Sequence, residues 1–370
     1  MGEGCAPEGF TRGMISTSFW QGRSVLLTGH TGFKGSWLAC CLDRLGAEVF
    51  GFAMEPDTAP SLFSMLPPLR SLQSRIGDVR DGRALASAIA DAQPSVVIHM
   101  AAQPLVRRSY SAPCETFHTN VTGTVNLLEG LRSHEAVMAG LDAVLIITTD
   151  KVYQNNGDGR PFRESDPLGG RDPYSSSKAA AELLTVSWAS SFFAPAGVPV
   201  ATARAGNVVG GGDWSQDRLI PDLWQAAKSN QTAVLRNPTA TRPWQFVLEP
   251  LYGYLAYIEA LADRNGASLP QALNFGPVAG DILTVAEAAD LVLEGLGSNQ
   301  GWRLAEGVHP YEAPQLTLNA TLAERTLGWQ PKLNARAALL WTVEWYRAVD
   351  AGRTAVSMMS EQIARYEALA

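Results

Sequence analysis

A tyrosine and a lysine four residues apart are the pair in this sequence whose types and spacing most directly suggest chemistry. Tyr174 and Lys178 lie in the run Pro-Tyr-Ser-Ser-Ser-Lys. Residues four positions apart share one face of a helix, and a lysine ammonium beside a phenol favours the phenolate. We therefore predict a helix on which Lys178 lowers the pKa of Tyr174 from its ordinary value of about 10. The phenol could then act as a general base near neutral pH.

The distribution of lysine supports a functional role for this pair. Only five of the 29 lysines and arginines are lysines. Three of the five, Lys34, Lys151 and Lys178, fall in segments that other residues also mark as functional. Lysine can lose its proton or act as a compact point charge, whereas arginine stays protonated. The alternative interpretation of Lys178 is an ordinary solvated surface residue.

A second polar cluster, Thr149, Asp150 and Lys151, follows soon after the apolar run 143–147. We predict that residues 144–149 form a buried strand whose carboxyl end carries this cluster. In open α/β sheets, ligands bind beyond the carboxyl ends of the strands. The alternative is a polar strand end that has no functional role.

The elements that must position these groups begin near residue 24. An apolar strand at 24–28 is followed by a G-x-x-G-x-x-G turn, a helical pattern that ends at Gly46, and a second strand at 48–54. Glycines allow a tight turn and let backbone N–H groups approach a pyrophosphate at a helix N-terminus. The predicted dinucleotide-binding turn contains Gly29, Thr31, Gly32, Phe33, Lys34 and Gly35.

Two residues near this turn bear on which dinucleotide it binds. Glu55, twenty residues after Gly35, is positioned to hold the adenosine ribose. It could equally be an exposed glutamate without a role. Lys34 could meet a phosphate, so the residues alone leave NAD and NADP open.

Further strands and helices alternate downstream and predict a parallel sheet covered on both faces. A strand ends near 77–81, buried strands run over 95–100 and 144–149, and a helix opens at Asn120. The predicted cofactor residues at these strand ends and at the helix opening are Asp78, Val79, Ala101, Ala102, Gln103 and Asn120.

The expected fold class is α/β, a Rossmann-type doubly wound parallel sheet with a smaller C-terminal substrate-binding lobe. We predict a flexible tail over 1–18, the dinucleotide-binding domain over 19–205 and the lobe mainly over 206–370, with some segments returning to the first domain. Arginines can clamp a diphosphate with forked donors, although a surface ion pair or a core position is the alternative for several of these residues. The predicted substrate-binding residues are Arg107, Asn207, Arg218, Arg242, Trp244 and Glu312.

Composition excludes several other classes of protein. The net charge is −7 and the pI about 5.3, and no basic stripe suggests nucleic acid. The apolar runs are too short to span a membrane, and the first residues lack the apolar stretch of a signal peptide. The four cysteines show no metal-binding spacing. We expect no metal site and a reducing, cytoplasmic compartment.

Taken together, these motifs resemble those of the extended short-chain dehydrogenases/reductases. The glycine turn, Asp78-Val79, the Ala-Ala-Gln stretch and Tyr-x-x-x-Lys carry that resemblance. Residues 149–153 are similar to the nucleotide-sugar 4,6-dehydratases within it. The segments 29–37, 149–155, 206–214 and 242–244 look most like the branch that acts on CDP-glucose. The likeness runs from about residue 19 to 345, with Lys34 and Lys151 departing from the residues usual in the wider family.

The resemblance implies an internal redox reaction with NAD. Tyr174, supported by Lys178, would take the O4 proton during oxidation at C4. Asp150 and Lys151 would act as acid and base when water is lost across C5 and C6, and Thr149 would hydrogen-bond near O4. Lys151 would either be neutral or stay charged and stabilise the enolate. The product would be a CDP-4-keto-6-deoxyhexose, a precursor of O-antigen dideoxysugars, and the chain would form a homodimer or a dimer of dimers.

Three other interpretations stay open at this point. A nucleotide-sugar epimerase uses the same tyrosine and lysine but has no need of Asp150 and Lys151. A dehydratase could act on a dTDP- or GDP-hexose instead. A non-catalytic NAD-binding protein of this fold would tolerate the loss of Tyr174 or Lys178, and both are present.

Overall fold

The computed structural model describes residues 15–263, 266–278, 280–307 and 316–369. The strands are β1 (Ser24–Thr28), β2 (Glu48–Ala53), β3 (Leu72–Ile76), β4 (Val96–His99), β5 (Ala143–Ile147), β6 (Val200–Ala205), β7 (Val208–Val209), β8 (Ala233–Leu235), β9 (Thr241–Arg242), β10 (Gln245–Phe246), β11 (Ala272–Phe275), β12 (Leu283–Thr284) and β13 (Trp302–Leu304).

The α-helices include both short single turns and long packed helices. They are α1 (Thr17–Trp20), α2 (Phe33–Leu45), α3 (Leu62–Met65), α4 (Gly82–Ala92), α5 (Val106–Ser111), α6 (Pro113–Phe117), α7 (Gly123–Arg132), α8 (Glu135–Gly140), α9 (Pro173–Trp188), α10 (Leu219–Lys228), α11 (Leu248–Leu261), α12 (Val285–Leu296), α13 (Thr321–Leu327), α14 (Ala335–Asp350) and α15 (Ala355–Glu367). Segments His118–Thr122 and Ala189–Phe193 are π-helical, and Asp150–Val152 is a 3₁₀ turn.

Seven strands form the central sheet in the order β11-β6-β5-β4-β1-β2-β3, with every neighbouring pair parallel. All the residues of β4, β5 and β6 are buried. Apolar strands covered on both faces are typical of parallel sheets. The predicted α/β fold with a Rossmann-type sheet is therefore confirmed.

Side chains that alternate along β1 divide between two apolar cores. Val25 and Leu27 join the core that includes α2 and α11, whereas Leu26 joins the core that includes α4 and α7. Successive strand residues point to opposite faces of a sheet, so helices cover both faces. The carboxyl ends of β1, β4 and β5 consequently meet at one edge, because their register pairs Thr28 with His99 and His99 with Ile146.

The C-terminal part of the chain is not wholly separate from the sheet. Strand β11 pairs with β6 at the sheet edge, and α11 packs against β5. The remaining strands beyond β6 form three two-stranded ribbons. The lobe predicted over 206–370 therefore returns two elements to the dinucleotide-binding domain.

The structure differs from the predicted flexible tail at residues 15–18. Helix α1 begins inside that range, and Trp20 at its end is fully buried. The Trp20 indole N–H donates to Glu259 Oε1 at 2.7 Å, and the Ser16 backbone N–H donates to the same oxygen at 2.8 Å. These bonds attach α1 to α11. Residues 1–14 lie outside the described part of the chain. Among the residues that the structure describes, no helix is long and apolar enough to cross a membrane.

Candidate active site

Helix α9 brings Tyr174 and Lys178 to the carboxyl edge of the sheet. Asp172 caps the helix by accepting the Ser175 backbone N–H at 2.9 Å. Both side chains are buried. Lys178 Nζ donates to the carbonyl oxygen of Ile147, the last residue of β5, at 3.0 Å. The predicted helix is confirmed, and a surface position for Lys178 is excluded.

Burial dominates the electrostatics of this pair. It raises the pKa of Tyr174 to about 12, while a hydrogen bond with Thr149 acts in the lowering direction. Burial also lowers the pKa of Lys178 to about 8, against the opposing effect of Glu182. Our prediction that Lys178 lowers the pKa of Tyr174 is wrong for this structure. Removing a phenolate from water costs more than the neighbouring charges return, and Lys178 directs its ammonium at a carbonyl.

Asp150 lies at the centre of the site and is fully buried. Its Oδ1 accepts the Thr149 hydroxyl at 2.9 Å and lies 3.2 Å from Lys151 Nζ. Its Oδ2 has no hydrogen-bond partner among the described residues. A Cβ added at Gly206 would stand 3.3 Å from that oxygen. Buried polar atoms are normally partnered, so this oxygen sets Asp150 apart, and Asp150 stands between Thr149 and Lys151 of the cavity wall in the sequence.

Lys34 extends from the glycine turn toward the same residues. It lies in the first turn of α2 and is half-buried. Burial lowers its pKa to about 7, and the charges of Arg218 and Lys178 act in the same direction. Asp150 has the opposite effect on Lys34. The structure thus places Lys151 against the buried Asp150, with Lys34 within electrostatic range of both Asp150 and Lys178.

The turn between β1 and α2 has the shape that a pyrophosphate requires. Gly29 has a φ of 77°, and a Cβ there would stand 2.7 Å from the Ala101 backbone nitrogen. A Cβ at Gly35 would stand 2.0 Å from the Gly29 carbonyl oxygen. Gly32 caps α2 without any side-chain hydrogen bond. Glycines therefore let the chain pass closely, and the helix N-terminus is left for an anion.

Other predicted cofactor residues shape this region or stabilise it. The Thr31 hydroxyl donates to the Met54 carbonyl at 2.8 Å. Asp78, half-buried just after β3, binds Arg80 through both oxygens, and this interaction lowers the pKa of Asp78. Glu55 is exposed beyond β2. Phe33, Ala101 and Ala102 are half-buried and Val79 is buried.

Gln103 and Asn120 connect the end of β4 to α9. Asn120, in the π-helical segment, accepts the Gln103 backbone N–H at 2.8 Å and donates to Ser177 Oγ at 2.9 Å. The Gln103 side chain donates to Thr116 at 2.9 Å and accepts the Leu105 N–H at 2.7 Å. Both side-chain amides are therefore engaged within the protein, and they order the loop that carries Ala101 and Ala102.

A cavity of about 330 Å³ lies beside these groups. Its wall includes Thr149, Lys151 and Tyr174 together with five of the six predicted substrate residues. The five are Arg107, Asn207, Arg218, Arg242 and Trp244. Trp244 is also part of the apolar core, being 4% exposed. Glu312 lies outside the described residues.

Carboxylates that the sequence analysis did not single out face the arginines of the cavity. Asp213 lies 3.3 Å from Arg218, and Asp217 lies 2.8 Å from Arg107. Arg236 also lines the cavity and binds Asp217. Asp213 falls in the segment 206–214 but its pairing with Arg218 carries no sequence motif, and Asp217 meets Arg107 only because distant segments converge. Among the described residues, no group of three or more histidines, cysteines or carboxylates could hold a metal ion.

Comparison with known proteins is consistent with this arrangement. The family model described as GDP-mannose 4,6 dehydratase matches residues 26–339. A CDP-glucose 4,6-dehydratase from Salmonella typhimurium is 44% identical over 358 residues, which cover 95% of this chain and 98% of that protein.

The chain belongs to the family of nucleotide-sugar 4,6-dehydratases.

Solved structures extend the likeness to the fold. A dTDP-glucose 4,6-dehydratase from Streptomyces venezuelae, solved with NAD bound, has a TM-score of 0.74 at 26% identity, over 88% of this chain and 98% of that one. An epimerase from Methanothermobacter thermautotrophicus has a TM-score of 0.78 at 23% identity, over 90% of this chain and 95% of that one. The second likeness shows the shared fold only.

Glu182 is a further residue of this 4,6-dehydratase that sequence reasoning missed. It is 1% exposed and forms a buried ion pair with Arg204, Oε2 to NH2 at 2.7 Å. It also accepts the hydroxyls of Thr148 at 2.5 Å and Thr202 at 2.7 Å. Because Glu182 lies four residues after Lys178 on one helix face, that spacing could have identified it. The pair joins α9 to β5 and β6 directly beneath the reactive groups.

Replacing Glu182 should therefore change the pH dependence of the reaction. Glu182 raises the pKa of Lys178, so Glu182→Gln should lower that pKa below about 8. If the ammonium form is the active one, the alkaline limb of the kcat profile moves to lower pH. The measurement is kcat for the nucleotide sugar between pH 6 and 10, at roughly half-unit steps.

A second variant distinguishes loss of folding from the expected shift of the pH profile. Glu182→Gln leaves Arg204 buried and unpaired, which typically costs about 3–5 kcal/mol. The double change Glu182→Gln with Arg204→Met removes both charges and should recover much of that stability in thermal unfolding. A double variant that is stable and has the wild-type pH profile would rule out the electrostatic role of Glu182.

Proposed function

We propose that this protein converts CDP-glucose to CDP-4-keto-6-deoxyglucose and water, using tightly held NAD. The observation that carries the proposal is the buried Asp150 carboxylate, which has one oxygen unpartnered, lies 3.2 Å from Lys151 Nζ and acts electrostatically on Tyr174. A dehydration that begins with oxidation at C4 needs a base for O4, an acid for O6 and a group to accept the C5 proton. These residues supply all three.

NAD would lie against the turn between β1 and α2, where the glycines permit close approach of its pyrophosphate. The residues that would hold it are Gly29, Thr31, Gly32, Phe33, Lys34, Gly35, Glu55, Asp78, Val79, Ala101, Ala102, Gln103 and Asn120. Its bound nicotinamide supplies the hydride acceptor for C4 and the hydride donor for C6. The NAD-bound relative from Streptomyces venezuelae supports this choice of cofactor.

Tyr174 takes the proton from O4 when C4 is oxidised. The buried phenol has its pKa raised to about 12, so the charged form needs support during the step. The Thr149 hydrogen bond and the charge of Arg218 favour the phenolate. For Lys178 to support it as well, its ammonium must turn from the Ile147 carbonyl, to which it donates in this structure. Burial keeps this proton transfer away from bulk water, where such interactions are weaker.

Asp150 and Lys151 carry the loss of water. A keto group at C4 acidifies the C5 proton, which Lys151 removes as a neutral amine, while Asp150 donates a proton to the departing O6. Transfer of one proton across the 3.2 Å separation from Lys151 Nζ to Asp150 Oδ1 converts the ion pair into these two neutral forms.

The nucleotide diphosphate would be held by the arginines of the cavity wall, among them Arg107, Arg218 and Arg242. Asn207 belongs to the same wall. The identity of the base rests on the relative from Salmonella typhimurium, named as a CDP-glucose 4,6-dehydratase. An epimerase would use Tyr174 and Lys178 in the same way but has no step for Asp150 and Lys151.

A substrate panel tests the proposed reaction. The purified protein with NAD is incubated separately with CDP-glucose, dTDP-glucose, GDP-mannose and UDP-glucose, and each product is weighed by mass spectrometry. We expect loss of one water from CDP-glucose and at most slow turnover of the others. An unchanged mass with inverted sugar configuration would indicate an epimerase, and no reaction with any sugar would contradict an enzyme.

Variants at three positions separate the steps. Asp150→Asn should slow water loss by ~10²–10⁴-fold, the usual contribution of general acid–base catalysis, while oxidation at C4 continues. Lys151→Met should behave similarly. Tyr174→Phe should abolish oxidation itself while NAD remains bound. Ultraviolet absorbance of the reduced cofactor reports oxidation, and product mass reports water loss. Wild-type turnover in Tyr174→Phe would refute its role as the base.

We also propose that two copies of the chain pair through α9 and its neighbours. Leu183 and Val186, one turn apart on α9, are 62% and 42% exposed, and Phe117 at the end of α6 is 37% exposed. Helix α6 packs against α9. Large apolar side chains grouped on one surface mark an interaction site.

Sedimentation velocity tests this pairing. Leu183→Glu should convert a dimer, or a dimer of dimers, to smaller species by placing charges in the contact. Leu340→Glu is the matched control, since Leu340 is 41% exposed on α14. A wild-type chain that sediments as a monomer would end the proposal.

A further inference from the structure

We propose that Asp217 is an internal anion that occupies Arg107 and Arg236 until the substrate diphosphate displaces it. The inference rests on the proposed nucleotide-sugar function and concerns the mouth of the same cavity. Asp217 would then set how strongly anions compete for the site.

The geometry places one carboxylate between two arginines from different parts of the chain. Arg107 belongs to α5, beside the dinucleotide-binding sheet, and Arg236 follows β8 in the C-terminal lobe. Asp217 Oδ1 accepts from Arg107 NH1 at 2.8 Å and from Arg236 NH1 at 2.9 Å. Arg236 NH2 also donates to the Asp217 carbonyl at 3.3 Å. All three residues line the cavity.

The backbone holds Asp217 in this position. Its φ is 62°, in the left-handed region that few residues other than glycine adopt. Aspartate and asparagine tolerate this conformation better than most residues. The next residue, Arg218, is the N-cap of α10 and itself faces Asp213. The segment therefore presents a carboxylate at a defined place, and asparagine can replace it without a change of backbone.

Charge repulsion opposes the binding of a diphosphate while the Asp217 carboxylate stays between Arg107 and Arg236. Asp222, in the first turn of α10, faces the same arginines. Burial, and after it the charge of Asp217, raises the pKa of Asp222 to about 6, whereas the charges of Arg236 and Arg107 act in the lowering direction. Among the described residues, Arg107 and Arg236 thus already face the carboxyl groups of Asp217 and Asp222. A nucleotide diphosphate adds about two negative charges, and like charges close together repel.

The diphosphate can displace Asp217 because the ion pairs of Asp217 with Arg107 and Arg236 are weaker than those that a diphosphate would form. The side chains of Arg107, Asp217 and Arg236 are 39%, 40% and 25% exposed, and exposed pairs contribute little in water. A diphosphate offers several charged oxygens to the same forked donors, which is the stronger arrangement. Substrate therefore replaces Asp217, whereas a weaker anion competes poorly with it.

Calorimetry with inorganic pyrophosphate tests the inference on the full chain with NAD present. Asp217→Asn should bind pyrophosphate roughly three- to tenfold more tightly than wild type at low salt, because the negative charge that competes for Arg107 and Arg236 is removed. The advantage should shrink at high ionic strength. The control is Asp91→Asn, which breaks the exposed Arg75–Asp91 pair of 2.8 Å outside the cavity and should leave binding unchanged. Equal or weaker binding by Asp217→Asn would overturn the proposal.

Steady-state kinetics with CDP-glucose provide a second test, which depends on the proposed function. In Asp217→Asn, KM for CDP-glucose should fall by a similar factor while kcat does not rise, because the variant changes ground-state binding of the diphosphate. If wild type does not dehydrate CDP-glucose, the proposed function fails, but the pyrophosphate result still decides the role of Asp217. A raised KM in a normally folded variant would count against displacement.

Discussion

The buried ion pair between Glu182 and Arg204 is the interaction on which the arrangement of the site depends. Both residues are nearly inaccessible, at 1% and 4% exposure, and Glu182 also accepts two threonine hydroxyls. A buried charge without a partner is strongly destabilising, so α9 must keep its position against β5 and β6. That constraint places Tyr174 and Lys178 next to Thr149 and Asp150.

Around this anchor the protein concentrates charge in a place with little water. Lys34 and Lys178 both have pKa values lowered mainly by burial, and Tyr174 has a raised pKa for the same reason. The shifts of the two lysines bring their pKa values closer to neutral pH, where proton transfer is efficient. The shift of Tyr174 runs the other way, so its phenolate depends on local support such as the Thr149 hydrogen bond.

The cavity mouth follows a different rule from its interior. Arg107 and Arg218 there are partly exposed and pair with Asp217 and Asp213, so they are solvated and held in place without a ligand. The interior needs fixed geometry for chemistry, whereas the mouth needs interactions weak enough to exchange. The interior groups come from the sheet edge and α9, whereas the arginine pairs come from α5 and from the loops that carry Asp213, Asp217 and Arg236.

Much of this could be predicted from the sequence because it depends on local spacing. The strand–turn–helix around Gly29, the buried strand before Thr149 and the helix carrying Tyr174 and Lys178 each follow from short-range patterns of apolar residues, glycines and polar caps. Patterns of this kind determine which backbone conformations are accessible, so the parallel sheet and its functional edge were predictable from the chain alone.

Only the tertiary structure decided the rest. The sign of the pKa shift of Tyr174 depends on how deeply α9 is buried and on Lys178 donating to the carbonyl of Ile147. The meeting of Asp217 with Arg107 joins residues more than a hundred positions apart, as does the docking of α1 onto Glu259. The order of residues along the chain specifies local conformation, but desolvation and charge pairing depend on which distant segments pack together.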